Sequence, residues 1–476
     1  MLGSASPSPA APSASRGLPR NDSTHAQFSG NAGRRARPRP AAARAPLPWR
    51  IVSSALAGAV AGAAVAFGGT EPASWAAVEI VLFAALAYAL WRKPRDISRV
   101  AWLGPALLGA YLACDSVITR PAAYLARAQL LTVAACLCGF SLSGLAARFA
   151  DLRRALWSAL MALGLGEALY GVVQYATDSQ QVLAYRKIVY TAQATGTYIN
   201  PNNYAGVLEM LLPLVFARAL WEVEQWSAHR HGAGRPISLW LREDNAPRFI
   251  FFLFGTLLLS AALLFSRSRT GIAAAWAGLL LVAAVWTLRT RVFRAATAIV
   301  VLLAALTFAA GAWIGLAPLL TKYRTAEQDL PSRVEVWKDS AALIRAHPFW
   351  GTGPGSFTDA YTRVQTSHLA ARLNHAHNDY LEFAAEWGVP GAALLFALIG
   401  FVLVRALLAL WRAAREVDWF LLLGCCGGMF ALLLHAAVDF NLHIPANALL
   451  FFVLAGLALA LSAGNENAPE RRVDAL

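Results

Sequence analysis

The chain runs through a succession of apolar stretches, each close to 20 residues long, joined by short polar or basic connections. About 20 apolar residues, at about 1.5 Å rise each, cross the hydrocarbon core of a bilayer with their backbone hydrogen bonds closed inside the helix. The pattern therefore predicts an all-α integral membrane protein. Twelve stretches qualify: 50–68, 75–91, 102–118, 128–147, 154–175, 203–221, 248–266, 270–288, 294–315, 390–411, 418–436 and 445–463. Asp115 interrupts the third.

Composition excludes a string of soluble domains, since 58% of the residues are hydrophobic and 14% charged. The net charge of +14 would suit nucleic acid on a soluble basic face, but here the basic residues fall in clusters between apolar runs. No nucleic-acid partner is expected. In alternate connections, one set holds 28 of the 41 Lys and Arg residues. The positive-inside rule then puts both termini in the cytoplasm, with an even number of spans. Cys114, Cys136, Cys138, Cys425 and Cys426 lie in or beside apolar runs with no CxxC spacing, as packing residues do.

Five regions follow. Residues 1–47, rich in Ala, Pro, Ser, Gly and Arg, are predicted to be a disordered basic cytoplasmic tail. Residues 48–315 hold spans one to nine, 316–389 form a large outer loop, 390–463 hold spans ten to twelve, and 464–476 form a cytoplasmic tail. In the loop, Val334, Trp337, Ala341 and Ile344 recur at helical spacing, which predicts an amphipathic helix on the outer surface. "HPFWGTGPGSF" then breaks the helix into a tight turn through Pro348, Gly351, Gly353, Pro354 and Gly355.

Four polar clusters fall on the outer side of this topology: "TGTYINPNNYAG", "FSRSRTG", the long loop and "HAAVDFNLHIP". His347, His368, His375, His377, His435 and His443 are among them. This points to one site at the outer interface. Arg267 and Arg269 sit too near the bilayer to lie far from it, and two readings stay open. They snorkel to headgroups, or they clamp a phosphate or diphosphate with Arg324, Arg333 and Arg345 adding to the clamp.

In "NHAHNDYLEFAAEWGVPG" a helix is expected from near His377, with Asn378, Glu382 and Glu386 one turn apart and Pro390 opening span ten. His377 at its start is either a proton acceptor for a hydroxyl or a helix cap. His435 and Asp439, four apart on one helix face with His443 beyond, are read as hydrogen-bonding support, with a metal site as the weaker alternative. Asn202 and Asn203 either contact a sugar or close an Asx turn.

These residues resemble the O-antigen ligase and polymerase superfamily of membrane glycan transferases. The family signature is His, then Asn, Ser or Gln, nine residues, Gly, two residues, and Gly, Thr or Tyr; His377, Asn378, Gly388 and Gly391 fill it here. The likeness runs in order through "SRSRTG", "RVEVW…HPFWGTGPGSF" and "VDFNLHIPANA", over roughly 195–460. It implies twelve spans, a C-type glycosyltransferase-like architecture, and a large periplasmic loop between spans nine and ten. It also implies transfer of a glycan from an undecaprenyl-diphosphate carrier to an acceptor at the periplasmic face of a bacterial inner membrane, without metal or other cofactor. By that likeness Arg269 binds the diphosphate and His377 stands at the reacting centre, both catalytic. Arg267, Arg333, Arg345, Asn378, Asn202, Asn203, His435 and Asp439 are expected to bind substrate, and Gly353, Gly355, Gly388 and Gly391 to shape the backbone. An O-antigen ligase of lipopolysaccharide biosynthesis, with lipid A-core as acceptor, is the first reading. A polysaccharide polymerase or a protein O-oligosaccharyltransferase shares the same donor half, and a lipid-linked glycan transporter is the reading from another class.

Overall fold

The computed structural model describes residues 44–92, 99–120, 122–228, 245–290, 326–366 and 373–464. Most of the expected tail at 1–47, the expected ninth span at 294–315 and Arg324 and His368 lie outside the described residues. The described helices are α1 (Leu47–Val65), α2 (Pro72–Trp91), α3 (Arg99–Thr119), α4 (Ala123–Ala146), α5 (Ala150–Ala176), α6 (Pro201–Ala228), α7 (Asn245–Ser266) and α8 (Arg269–Thr290). They continue with α9 (Ala326–Ala346), α10 (Phe357–Tyr361), α11 (Asp379–Arg412), α12 (Val417–His435) and α13 (Pro445–Gly464). Among the described residues the one sheet is a small antiparallel hairpin between α5 and α6, Gln181–Val182 with Tyr185–Arg186.

Nine of these helices, α1, α2, α4, α5, α7, α8, α11, α12 and α13, are long and apolar enough to cross a membrane, and Leu103–Thr119 of α3 is a shorter apolar helix. This is a multi-pass helical membrane protein. At the centre of the bundle α6 is buried along Asn203–Ala217, packed by α5, α7, α8 and α12. The run Gly424, Gly427 and Gly428 lets α12 approach α6 closely, for a Cβ at Gly428 would lie 2.4 Å from the Met210 carbonyl oxygen. Small residues supply close backbone approach where lipid gives helices no hydrophobic reason to associate.

α11 is broken near its start. Gly388 adopts φ 68°, ψ 171°, so a first segment, 379–387, is set at an angle to the long apolar segment that Pro390 opens. Pro390 has no N–H to give the Glu386 carbonyl, and the Gly353 N–H takes that acceptor at 2.8 Å. The Thr352 N–H bonds the Ala385 carbonyl at 2.9 Å, and the Val389 N–H bonds Pro348 at 2.8 Å. The glycine-rich turn thus completes the hydrogen bonding of a kinked helix, and a Cβ at Gly388 would lie 2.3 Å from the Phe349 carbonyl oxygen. Gly353 and Gly355 hold positive φ, while a Cβ at Gly391 would lie 2.5 Å from the Tyr111 ring.

Two sequence expectations are corrected. The buried stripe of α9 is Val336, Asp339, Ser340 and Leu343, whereas Val334, Trp337, Ala341 and Ile344 are half-buried. Val336 and Leu343 pack with Phe357, Tyr361, Ala376 and Ala385, and Asp339 accepts hydrogen bonds from the Tyr361 hydroxyl and Thr366. A buried carboxylate with three donors replaced the apolar residue that periodicity would demand. In addition, Asp439 is not on the helix that carries His435, because α12 ends at His435 and the chain turns before Asp439.

Candidate active site at one end of the bundle

Four chain segments meet at Asp439, which is 1% exposed. Asn202, in the first turn of α6, donates its side-chain amide to Asp439 Oδ2 at 2.7 Å. Arg333 of α9 donates to the Val438 carbonyl and brings its other terminal nitrogen within 3.9 Å of Asp439 Oδ2. His377 Nδ1 lies 3.6 Å from Asp439 Oδ1, and His435 Nε2 lies 4.0 Å from Oδ2. Burial alone would raise the Asp439 carboxyl, but His377, His435 and Arg333 outweigh it and hold it down at about 2.

His377 sits at this point because of the chain on both sides of it. Its backbone takes φ 51°, a left-handed conformation that His tolerates better than most residues. Asn378 follows as the N-cap of α11, its side-chain oxygen accepting the Leu381 N–H at 3.1 Å. The capping role foreseen as one reading of His377 thus belongs to its neighbour. The His377 Nδ1 is buried and unbonded while its side chain is 30% exposed, so the exposed part of the ring is the part facing away from Asp439.

Arg267 and Arg269 come to the same end of the bundle. Arg267, at φ 54°, donates to the Tyr175 hydroxyl at 3.4 Å and lies over that ring. Arg269 is half-buried as the first residue of α8, behind Ser268, whose hydroxyl accepts the Gly271 N–H at 3.3 Å. The starts of α8 and α6 touch: a Cβ at Gly271 would lie 2.5 Å from that of Ala205, three residues after Asn202. A guanidinium at a helix N-terminus is suited to an anion. Arg345, by contrast, is exposed in the last turn of α9, the helix whose Arg333 approaches Asp439.

Asn202 also closes the anticipated turn, its N–H bonding the Asn200 side chain at 2.8 Å. Asn203 faces inward instead: its carbonyl accepts from Asn447 at 2.9 Å. Support for the site comes from residues that hydropathy alone hides. Buried Glu209 accepts from His435 Nδ1 at 3.0 Å. Asp379 bonds His443 Nδ1 at 2.6 Å and the Leu442 N–H at 2.9 Å, and Glu382 bonds His375 Nδ1 at 2.7 Å and the Ala376 N–H at 2.8 Å. Burial opposes the charge on His443, but Glu382, Asp379 and Glu386 outweigh it and hold its pKa up to about 9. Phe440 lies between the two polar groups, stacked on His375 at 4.0 Å and edge-on to His377 at 5.0 Å.

His435 and His443 each spend Nδ1 on a different carboxylate, and among the described residues no three His, Cys, Asp or Glu side chains gather as metal ligands. All five cysteines are free thiols.

The bundle, with a buried ionic cluster at one end, defines a multi-pass helical membrane protein. Residues 254–396 match the family model described as O-antigen ligase. That match supports a place for the chain in the superfamily of O-antigen ligase- and polymerase-type membrane glycosyltransferases. The matched stretch contains Arg267, Arg269, Arg333 and His377 and stops short of His435 and Asp439. A search of curated proteins finds no match.

Proposed function

We propose that the chain transfers a glycan from a lipid-diphosphate donor to an acceptor hydroxyl at the periplasmic face of the inner membrane, as an inverting, metal-independent glycosyltransferase of the O-antigen ligase type. The observation that carries this reading is the convergence of His377, Arg333, Asn202 and His435 on buried Asp439. An imidazole backed by a carboxylate and exposed on its other edge is arranged to take a proton.

In the proposed step the acceptor oxygen attacks the anomeric carbon while its proton passes to His377. The bond from that carbon to the diphosphate oxygen breaks, and the leaving diphosphate carries the negative charge. Asp439 stabilises the imidazolium, and Arg269 with Arg267 and Arg333 stabilises the developing phosphate charge, as fixed guanidinium groups do in a site shielded from water. One displacement inverts the anomeric centre.

The experiment supplies the purified, reconstituted protein with an undecaprenyl-diphosphate glycan alone and then with lipid A-core. A capped lipid formed only in the second arm supports the ligase. A longer lipid-linked chain in the first arm would replace it with a polymerase, and transfer to neither would remove the reading.

A further inference from the structure

The exposed run 345–350 ends α9 and opens the glycine-rich turn, and the cluster around Asp439 makes no use of it. It carries two large apolar side chains: Phe349 is 71% exposed, and Trp350 also stands at the surface, as does neighbouring Val389. Their backbone is bonded on two sides. The Val389 N–H meets the Pro348 carbonyl at 2.8 Å, and the Tyr111 hydroxyl of α3 lies 2.9 Å from the Phe349 carbonyl and 2.7 Å from that of Trp387. The Trp350 ring stacks on Tyr111, with centroids 5.3 Å apart.

Two helices give the level of this turn along the bundle. Gly391, against the Tyr111 ring, begins the apolar segment of α11, and from there to Arg412 a helix rises about 30 Å, one hydrocarbon thickness. Phe349 is thus level with the boundary of the hydrocarbon at the Asp439 end. On α3, exposed Cys114, Val117 and Ile118 continue an apolar surface past Tyr111, away from Arg99. Water at the level of Tyr111 would wet that surface together with Phe349, Trp350 and Val389, whereas a bilayer reaching it covers them all. Arg345 and His347, both exposed, lie within four residues of Phe349. Basic side chains that reach headgroups beside aromatic rings are the composition of a lipid–water interface.

We propose that the turn at 348–350 docks into the lipid leaflet at the Asp439 end of the bundle, Phe349 and Trp350 entering it beside Val389 and Arg345 meeting its headgroups. The lipid there is continuous with that covering exposed Phe401 and Val404 on the same α11. Docking fixes the end of α9, whose Arg333 approaches Asp439, against the membrane. The proposal does not rest on glycan transfer.

The test uses the full chain in nanodiscs of phosphatidylcholine and phosphatidylglycerol, part of the phosphatidylcholine carrying a diazirine in its acyl chain, with adducts mapped by mass spectrometry. Adducts are expected on Phe349 or Trp350 and on the exposed stripe of α3, and none at 358–363. A second measurement reads depth with a nitroxide. On native Cys114, which is exposed while the other four cysteines are buried, it gives the lipid reference. In the Cys114→Ser chain, Phe349→Cys and Thr362→Cys carry the nitroxide instead. Oxygen should relax the label at 349 more than a water-soluble nickel chelate does, in a ratio near that at Cys114, and the order should reverse at 362. No lipid adduct at 349–350 in the unaltered chain, or a label at 349 whose ratio equals that at 362, would overturn the proposal and leave the turn to water or to another protein.

Discussion

His377 Nδ1 faces Asp439 Oδ1 at 3.6 Å, an electrostatic contact longer than a hydrogen bond. Asp439 is already engaged: it accepts from Asn202 and from the Phe440 N–H at 2.9 Å, and Arg333 stands close by. The carboxylate is therefore fixed before any substrate arrives, and His377, 30% exposed, and Arg333, 25% exposed, are the charged or titratable partners of Asp439 that keep exposed surface, while His435 is wholly buried. Contacts of this kind commonly tighten when substrate is bound.

Asp439→Asn should leave the fold largely intact and reduce glycan transfer by roughly 10²-fold, the scale expected for a group that stabilises transition-state charge. Turnover measured beside the thermal melt separates the two effects. A melt that collapses together with activity would assign Asp439 to structure alone.

The Glu209–His435 pair is wholly buried, so removing one member strands the other. Glu209→Leu should destabilise by about 3–5 kcal/mol, and adding His435→Leu should restore a large part of that loss. A double-mutant cycle of unfolding measurements checks this, and additive losses would show that the pair is not coupled.

His443 contributes a pH dependence of known sign. Its folded pKa of about 9 lies above the ordinary imidazole value of 6.5, so the stabilisation is complete below about pH 6.5 and is lost as pH rises through about 9. Thermal melts from pH 6 to 10 should show this decline, and His443→Gln should flatten it. A decline of equal size in the variant would place the titrating group elsewhere.

Gly388→Ala should abolish accumulation of folded protein, since it combines a left-handed backbone with a Cβ 2.3 Å from the Phe349 carbonyl oxygen. Gly400→Ala, on the same helix with nothing within 4 Å, is the control and should melt within about 1 kcal/mol of the parent. Equal behaviour of the two would contradict the account of the kink.

EDTA should leave transfer unchanged, because guanidinium groups rather than a divalent ion are assigned the leaving charge. Activity lost in EDTA and restored by a divalent ion would shift the electrostatic role to a metal.

Apolar length made the helices legible, and turn residues located the break before Pro390. The four polar clusters were legible because ionisable residues are scarce in this chain, so their grouping stood out. Which of them touch was not, since Asn202, Arg333, His377 and Asp439 are far apart in sequence and meet only through packing. Periodicity misread α9 because Asp339 is buried by its three hydrogen bonds rather than by hydrophobicity. Glu209 did carry a signal: it lies seven residues after Asn202, two helical turns along one face, and both side chains reach the Asp439–His435 cluster.

The most direct measurement is single-turnover transfer from an undecaprenyl-diphosphate glycan by reconstituted parent protein, His377→Ala and Arg269→Ala, with folding matched by thermal melt. The account predicts a loss of roughly 10²-fold or more in each variant. Turnover equal to that of the parent in both would contradict it.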